Sequence, residues 1–354
     1  MVCTWSVLNI NMSVFKWILW PFSALYGCLT WLRNLAFDWG LRPSYQSKLK
    51  TICIGNLQVG GSGKTPMTAY LFWLYASQYS IAVLSRGYGR KSKGLIAATE
   101  LSTADDIGDE PLWYHQTLPG AKVVVSEKRK KGLKYIENRT HSELVLLDDA
   151  LQHRKVTCHA NLLLTDYQLL YTQDHVMPMG RLREWRTGAK RAQIIVVSKC
   201  PEDLSPESAQ AIVKQLKPLP QQQVFFTSLS LGNPKKLKGA LSLDKRPYQA
   251  VLALSGLANP KSFHALCQRF SSNIQYKTFE DHHSYTVAEL NALFKGLPDN
   301  TIVLCTEKDA VKLKEQHLLA CIPENTVYVL PVFVNCLFGQ ETQLKAAIDT
   351  CLNA

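Results

Sequence analysis

"TICIGNLQVGGSGKTP", residues 51–66, decides the fold. A short β-branched run ends in a glycine-rich turn, passes Gly60, Gly61, Ser62 and Gly63 to Lys64 and Thr65, and opens onto the apolar run "MTAYLFWLYA". Strand, glycine turn and helix in that order are the setting of a phosphate-binding loop. Backbone N–H groups of the turn and of the helix N-terminus point at an anion, and Lys64 adds a mobile positive charge. Thr65 supplies a hydroxyl for magnesium. One position departs from G-x-x-x-x-G-K-[ST]: Gln58 stands five residues before Gly63, where the pattern has glycine. The three glycines that remain still provide unusual dihedrals and close backbone approach.

Outward from this loop, apolar runs alternate with helical patterns: "IAVLS" (81–85), "KVVVS" (122–126), "ELVLLDD" (143–149), "NLLLTD" (161–166) and "QIIVVSK" (193–199). Continuous apolar strands spaced by helices predict an α/β fold, a P-loop NTPase-type, mostly parallel sheet with helices on both faces. A more polar passage from Lys217 to Tyr248 reads as a hinge region with room for a hairpin. A second series then begins with "AVLALSG" (250–256), "TIVLCTEKD" (301–309) and "TVYVLP" (326–331), which predicts a smaller C-terminal α/β domain. The expected division is 1–45, an N-terminal helical segment; 46–235, the core; and 236–354, the C-terminal domain. A phosphate loop also needs an acid at the end of a neighbouring strand to hold magnesium, and "ELVLLDD" carries Asp148 and Asp149 out at its carboxyl end. Either acid can make the direct contact, and capping of the next helix is the plainer role of the pair.

The chain has 354 residues, 46% of them hydrophobic, and a formal net charge of +12, so it can bury a large core and should be drawn to polyanions. No recognisable DNA- or RNA-binding motif accompanies the charge, so nucleic acid is not an expected partner. A guanine-nucleotide switch would read its base with N-K-x-D, and Ser198-Lys199-Cys200-Pro201 lacks both the Asn and the Asp. Ten cysteines are scattered without a C-x-x-C pair, which indicates reduced thiols in a cytoplasmic compartment and neither a zinc site nor a disulfide framework. No obligate protein partner is evident.

At the N-terminus the run Trp17 to Leu32 is uncharged and broken by Pro21 and Gly27. Its sixteen residues reach about 24 Å, short of a roughly 30 Å hydrocarbon layer. Trp5, Trp17, Trp20, Trp31 and Tyr26 suit the headgroup boundary, and Lys16, Arg33, Arg42, Lys48 and Lys50 would meet an anionic membrane surface. The expectation is a membrane-associated apolar helix; a buried first helix is the alternative. "KRKK" (128–131) reads as a solvated helix face, with lipid phosphates as the alternative contact.

Eight motifs follow in order: "GNLQVGGSGKTP" (55–66), "SRGYGR" (85–90), "GDEP" (108–111), "DDALQH" (148–153), "PMGRLRE" (178–184), "SGLANP" (255–260), "DHHSY" (281–285) and "TEKDAVKL" (306–313). With the apolar, basic-flanked N-terminus, the series closely resembles the tetraacyldisaccharide 4'-kinase (lipid A 4'-kinase) family over nearly the whole chain. That family's loop also opens on Gly-Asn and lacks a glycine at the position of Gln58. Ala150 and Trp185 depart from the family pattern, which commonly has glycine and proline there.

The resemblance implies transfer of the γ-phosphate of ATP, with Mg2+, to the 4'-hydroxyl of an acylated disaccharide 1-phosphate at the cytoplasmic face of the inner membrane. It implies Asp109 as the base that takes the alcohol proton, although an Asp before Glu-Pro is by itself an ordinary helix N-terminal acid. It also implies His282 as a partner of that carboxylate, with His283 as the neighbour, brought in by closure of the C-terminal domain. Arg86, and Arg183 with Glu184, resemble family positions near the active site, where an arginine can clamp a phosphate, a surface ion pair being the plainer role; Gln152 and His153 follow the acid pair closely enough to reach the sugar or the metal's second shell, and Glu110 is a further candidate for substrate binding.

Overall fold

The β-branched run before the glycine loop forms the strand Lys50–Asn56, fully buried from Thr51 onward. The structure is a computed structural model that describes residues 5–238, 249–257, 260–281, 283–298, 301–324 and 326–354, with side chains described from Ile18 onward apart from residues 261–262. The chain divides into two compact units: Met1–Lys64, Leu146–Ser228 and Cys336–Ala354 make one, Thr65–Val145 and Leu229–Asn335 the other.

In the first unit the sheet order is Gln223–Leu231, Ile194–Cys200, Ala160–Asp166, Lys50–Asn56 and Leu144–Asp148. Parallel registers such as Phe225↔Val196, Leu162↔Ile194 and Ile52↔Ala160 set the carboxyl ends of four of these strands along one edge. The final helix Glu341–Leu352 covers the sheet with Leu344, Ala347, Ile348 and Leu352 buried. The strand Gln223–Leu231 lies within the passage that sequence assigns to a hinge. Its polar opening Gln-Gln-Gln hides the apolar pair Phe225 and Phe226, which are buried against the sheet.

The N-terminal helix Trp5–Asp38 is continuous through Pro21 and Gly27, where the sequence predicts a break. A proline removes one backbone donor but leaves the helix its other bonds. Gly27 faces the indole of Trp185 so closely that a Cβ there would lie 2.7 Å from the ring. Among the described residues no helix is long and apolar enough to cross a membrane.

The second unit holds the parallel pair Ile81–Ser85 and Lys122–Val125, edged by the antiparallel Ile96–Ala97. It also holds a five-stranded sheet in the order Lys235–Lys236, Val327–Leu330, Thr301–Thr306, Ala250–Ser255, Ile274–Thr278, parallel except for its first pair. Apolar clusters that include Leu252, Leu254, Val303 and Leu313, and Val251, Ala253, Phe263 and Phe270, fill the two faces of that sheet.

Candidate active site

Asn56 ends its strand fully buried, and the chain loops from Leu57 to Lys64, the first residue of the helix Lys64–Tyr75. Gly63 adopts φ +80°, a left-handed conformation that a side chain would strain. Gln58 does structural work where the common pattern has glycine. Its buried side chain donates from Nε2 to Asp174 Oδ2 at 2.9 Å and to the Leu169 carbonyl at 3.3 Å, and its backbone bridges Leu182.

The end of the strand Ile194–Cys200 holds the other side of the loop. Ser198 Oγ donates to the Ser62 carbonyl at 2.8 Å, while Lys199 donates to the Gly61 carbonyl and pairs with Asp166 at 2.8 Å. Drawing the Ser62 carbonyl toward Ser198 turns the other end of that trans peptide, the Gly63 N–H, the opposite way. In sequence Ser198-Lys199 is the end of an apolar strand run and a failed base-reading motif, and the bracing role is visible only in the fold. Lys64 Nζ lies 3.3 Å from Asn56 Oδ1 and 3.8 Å from Asp149 Oδ1. Asn56 Nδ2 and Ser62 Oγ are buried without a hydrogen-bond partner among the described residues, and such donors fit the oxygens of a nucleotide phosphate.

Asp148 closes its strand at 1% exposure, and Asp149 follows in a turn at φ +47°. Arg183 donates to both oxygens of Asp149 at 3.0 and 2.9 Å. Glu184 is buried and accepts from Gln152 Nε2 at 3.1 Å, Arg191 at 2.5 Å and Asn34 Nδ2 at 2.6 Å. Gln152 Nε2 also donates to the Asn56 carbonyl at 2.8 Å. His153 is half-buried, and its N–H donates to the Ala150 carbonyl at 2.8 Å. The N-terminal helix is thus bonded to these motifs, through Tyr26 to the Arg183 carbonyl at 3.0 Å, Arg33 to the Gln152 carbonyl at 2.7 Å, and Asn34 to Glu184.

In the second unit Gly108, at φ +93°, turns the chain into the helix Asp109–Thr117. Asp109 is its first residue and is buried, with Oδ2 2.8 Å from Lys312 Nζ. Lys312 escapes sequence reading even though it lies in the quoted "TEKDAVKL". Its ammonium also donates to the His283 carbonyl at 2.8 Å. His282 lies outside the described residues. His283 stacks on Phe279 and places Nε2 3.3 Å from Glu289.

Asp309 draws three motifs together, accepting from Tyr285 Oη at 2.9 Å, Thr306 Oγ1 at 2.6 Å and the Gly256 N–H at 3.1 Å. Burial, with the nearby Asp309 charge, pushes the Tyr285 hydroxyl far above its ordinary range, so it stays a donor. Glu110 is half-buried in the first turn after Asp109, and Arg86 is exposed just beyond the strand Ile81–Ser85. The "KRKK" run is not wholly solvated: Arg129 is buried and donates to the Ser126 carbonyl at 2.7 Å, while Lys128, Lys130 and Lys131 are exposed.

Among the described residues no three His, Cys, Asp or Glu side chains gather as a metal cage. Mg2+ does not require one, since one or two carboxylates with phosphate oxygens suffice. The hard oxygens of Asp148, Asp149 and Thr65 are donors of that kind.

A glycine loop at the carboxyl edge of a parallel sheet, carrying a lysine and followed by a threonine, defines a phosphate-loop nucleotide-binding protein. The sequence matches the tetraacyldisaccharide-1-P 4'-kinase family over residues 15–353, and the chain belongs to that family. A tetraacyldisaccharide 4'-kinase of Flavobacterium johnsoniae is 39% identical over 333 residues, covering 92% of this chain and 94% of the relative. One of Porphyromonas gingivalis is 39% identical over 351 residues, covering 95% and 96%. The solved structure of LpxK from Aquifex aeolicus, an "apo" form in complex with ATP, is 27% identical with a TM-score of 0.74, covering 96% of this chain and 99% of that one.

Proposed function

We propose that the protein transfers the γ-phosphate of ATP to the 4'-hydroxyl of a tetraacylated disaccharide 1-phosphate in lipid A biosynthesis, with Mg2+, at the cytoplasmic face of the inner membrane. The observation that carries this reading is the braced phosphate loop with Lys64 at its end, in a chain of this family. The loop's N–H groups and Lys64 hold the β- and γ-phosphates. Asp148, Asp149 and Thr65 are the residues that would hold Mg2+, which when bound would supply positive charge against the phosphate oxygens. Asp109 takes the proton of the sugar hydroxyl, with His282 as its partner, and Arg86, Glu110, Gln152, His153, Arg183 and Glu184 line the substrate's approach.

The membrane seat is supported by the way the N-terminal helix is turned. Between Ser23 and Asn34 its inward residues are small or polar, with Phe37 buried beyond them: Ser23 accepts from the Met179 N–H at 2.8 Å, and Tyr26 and Asn34 hydrogen-bond as described. Its outward residues are apolar, with Ile18, Trp20, Phe22, Leu25, Leu29, Trp31 and Leu32 all about half exposed or more. A helix that hides its polar face and shows its apolar one suits the interface of a bilayer. Beside it lies a cavity of about 790 Å³ lined by Ala24, Cys28, Trp31, Val176, Leu182 and Trp185, a lining suited to an acyl chain.

The test is a mixed-micelle assay with labelled ATP and the disaccharide lipid. Folded wild-type protein should form labelled product only with Mg2+, and Lys64→Ala should lower turnover by at least ~10²-fold through loss of transition-state charge stabilisation. Absence of product from folded wild-type protein would reject the reading.

A further inference from the structure

Lys312 stands on the short helix Glu307–Leu313, which Asp309 pins through Tyr285, Thr306 and Gly256. Lys312 is 5% exposed and Asp109 7%, so the ion pair is held largely away from water. Leaving a buried carboxylate without its counter-charge is costly, and this carboxylate's counter-charge is anchored on a fixed helix. An ammonium has three donors. One reaches Asp109 and a second reaches the carbonyl of His283, in the turn that carries the "DHHSY" motif. The same group therefore fixes the direction of the acid and the backbone of the histidine turn.

We propose that Lys312 is a positioning residue for the phosphoryl transfer: it pairs with Asp109, aims it, and ties it to the turn at His283. This rests on Asp109 being the base of the proposed reaction. Lys312 touches neither nucleotide nor lipid in this scheme, and its effect passes through Asp109 and the turn that it ties to Asp109. That separates it from a cation that binds phosphate. It also separates it from a pair that only stabilises the fold, whose loss would lower the melting temperature and leave the kcat of the folded fraction intact.

The experiment is a kinetic cycle of wild type, Lys312→Met, Asp109→Asn and the double variant in mixed micelles, with ATP binding and thermal unfolding measured on each. Lys312→Met should lower kcat by on the order of 10²-fold, within the range for loss of general-base function, while the KM for ATP stays within about threefold. The double variant should retain the residual kcat of Asp109→Asn, because residues acting as one unit are not additive. Should Lys312→Met fail to fold, Lys312→Gln, which keeps a donor for the His283 carbonyl, takes its place. The comparison of Asp109→Asn with the double variant, neither of which carries the Asp109 carboxylate, decides in either case. A further loss of tenfold or more in the double variant, or a folded single variant with wild-type kcat, overturns the inference. A wild-type protein that binds ATP but forms no lipid product rejects the proposed reaction instead, so the two failures are told apart.

Discussion

Glu307 opens the helix Glu307–Leu313, an ordinary place for an acid, but its surroundings are not ordinary. Burial pushes its carboxyl up to about 7, against the Val332 N–H that donates to it at 3.2 Å and the positive charges of Lys235 and Lys314. A carboxyl raised in the folded state contributes stability that is fully present below its unfolded value of 4.5 and is lost as pH rises through about 7. Glu307→Gln has no such charge to bury. Denaturant unfolding at pH 5 and pH 8 should therefore show the variant gaining roughly 2 kcal/mol on wild type across the interval, the full shift being reduced because the residue is only half-buried. Parallel stability curves for the two proteins would contradict the assignment. At the same scale, Asp109→Asn keeps the volume of Asp109 but exchanges one acceptor oxygen for an amide donor and removes its charge and basicity, and should lower kcat by about 10²–10⁴-fold with ATP binding unchanged.

At the scale of elements, the N-terminal helix is held by side chains that look unremarkable in sequence, Tyr26, Arg33 and Asn34, which bond to Arg183, Gln152 and Glu184. Its outward Leu25 and Leu29 take no part in those hydrogen bonds and are mostly in solvent, being 61% and 59% exposed. Replacing both with glutamate should leave unfolding of the protein nearly unchanged and cut partition into vesicles by about 10²-fold or more, since each buried leucine is worth roughly 1.5–3 kcal/mol. Vesicle co-sedimentation reads this directly, and undiminished binding by a folded variant would remove the helix from the membrane. The strands beside the phosphate loop are legible in sequence because they are buried on both faces and read as unbroken apolar runs. The strand Gln223–Leu231 is not, because its polar first residue and the preceding prolines resemble a linker until Phe225 and Phe226 meet the sheet. Pro21 misleads in the opposite direction, since a helix this long tolerates one missing bond.

Over the whole molecule, the motifs carry the site's chemistry but not its pairings. That Lys64 and Asp149 lie near one another, 3.8 Å apart, is legible in sequence because strand, loop and acid each have a fixed place in a parallel sheet. Lys312 and Asp109 cannot, because their meeting depends on how the five-stranded sheet and its helices fold back, which no local pattern encodes. The net charge of +12 is likewise a property of the whole chain, and it makes a prediction separable from the apolar helix face. Apolar insertion is indifferent to salt, whereas attraction to anionic lipid is worth about 1 kcal/mol for each basic residue near the surface and fades within a Debye length. Binding to vesicles of neutral lipid should therefore be nearly constant between 0.05 and 0.5 M salt, at roughly the ionic strengths where the screening length shrinks severalfold. Binding to vesicles with an anionic fraction should be stronger at low salt and should fall toward the neutral value as salt is raised. Equal binding to the two compositions at low salt would show that the basic residues play no part in seating the enzyme, and that the surplus charge serves the phosphorylated substrate alone.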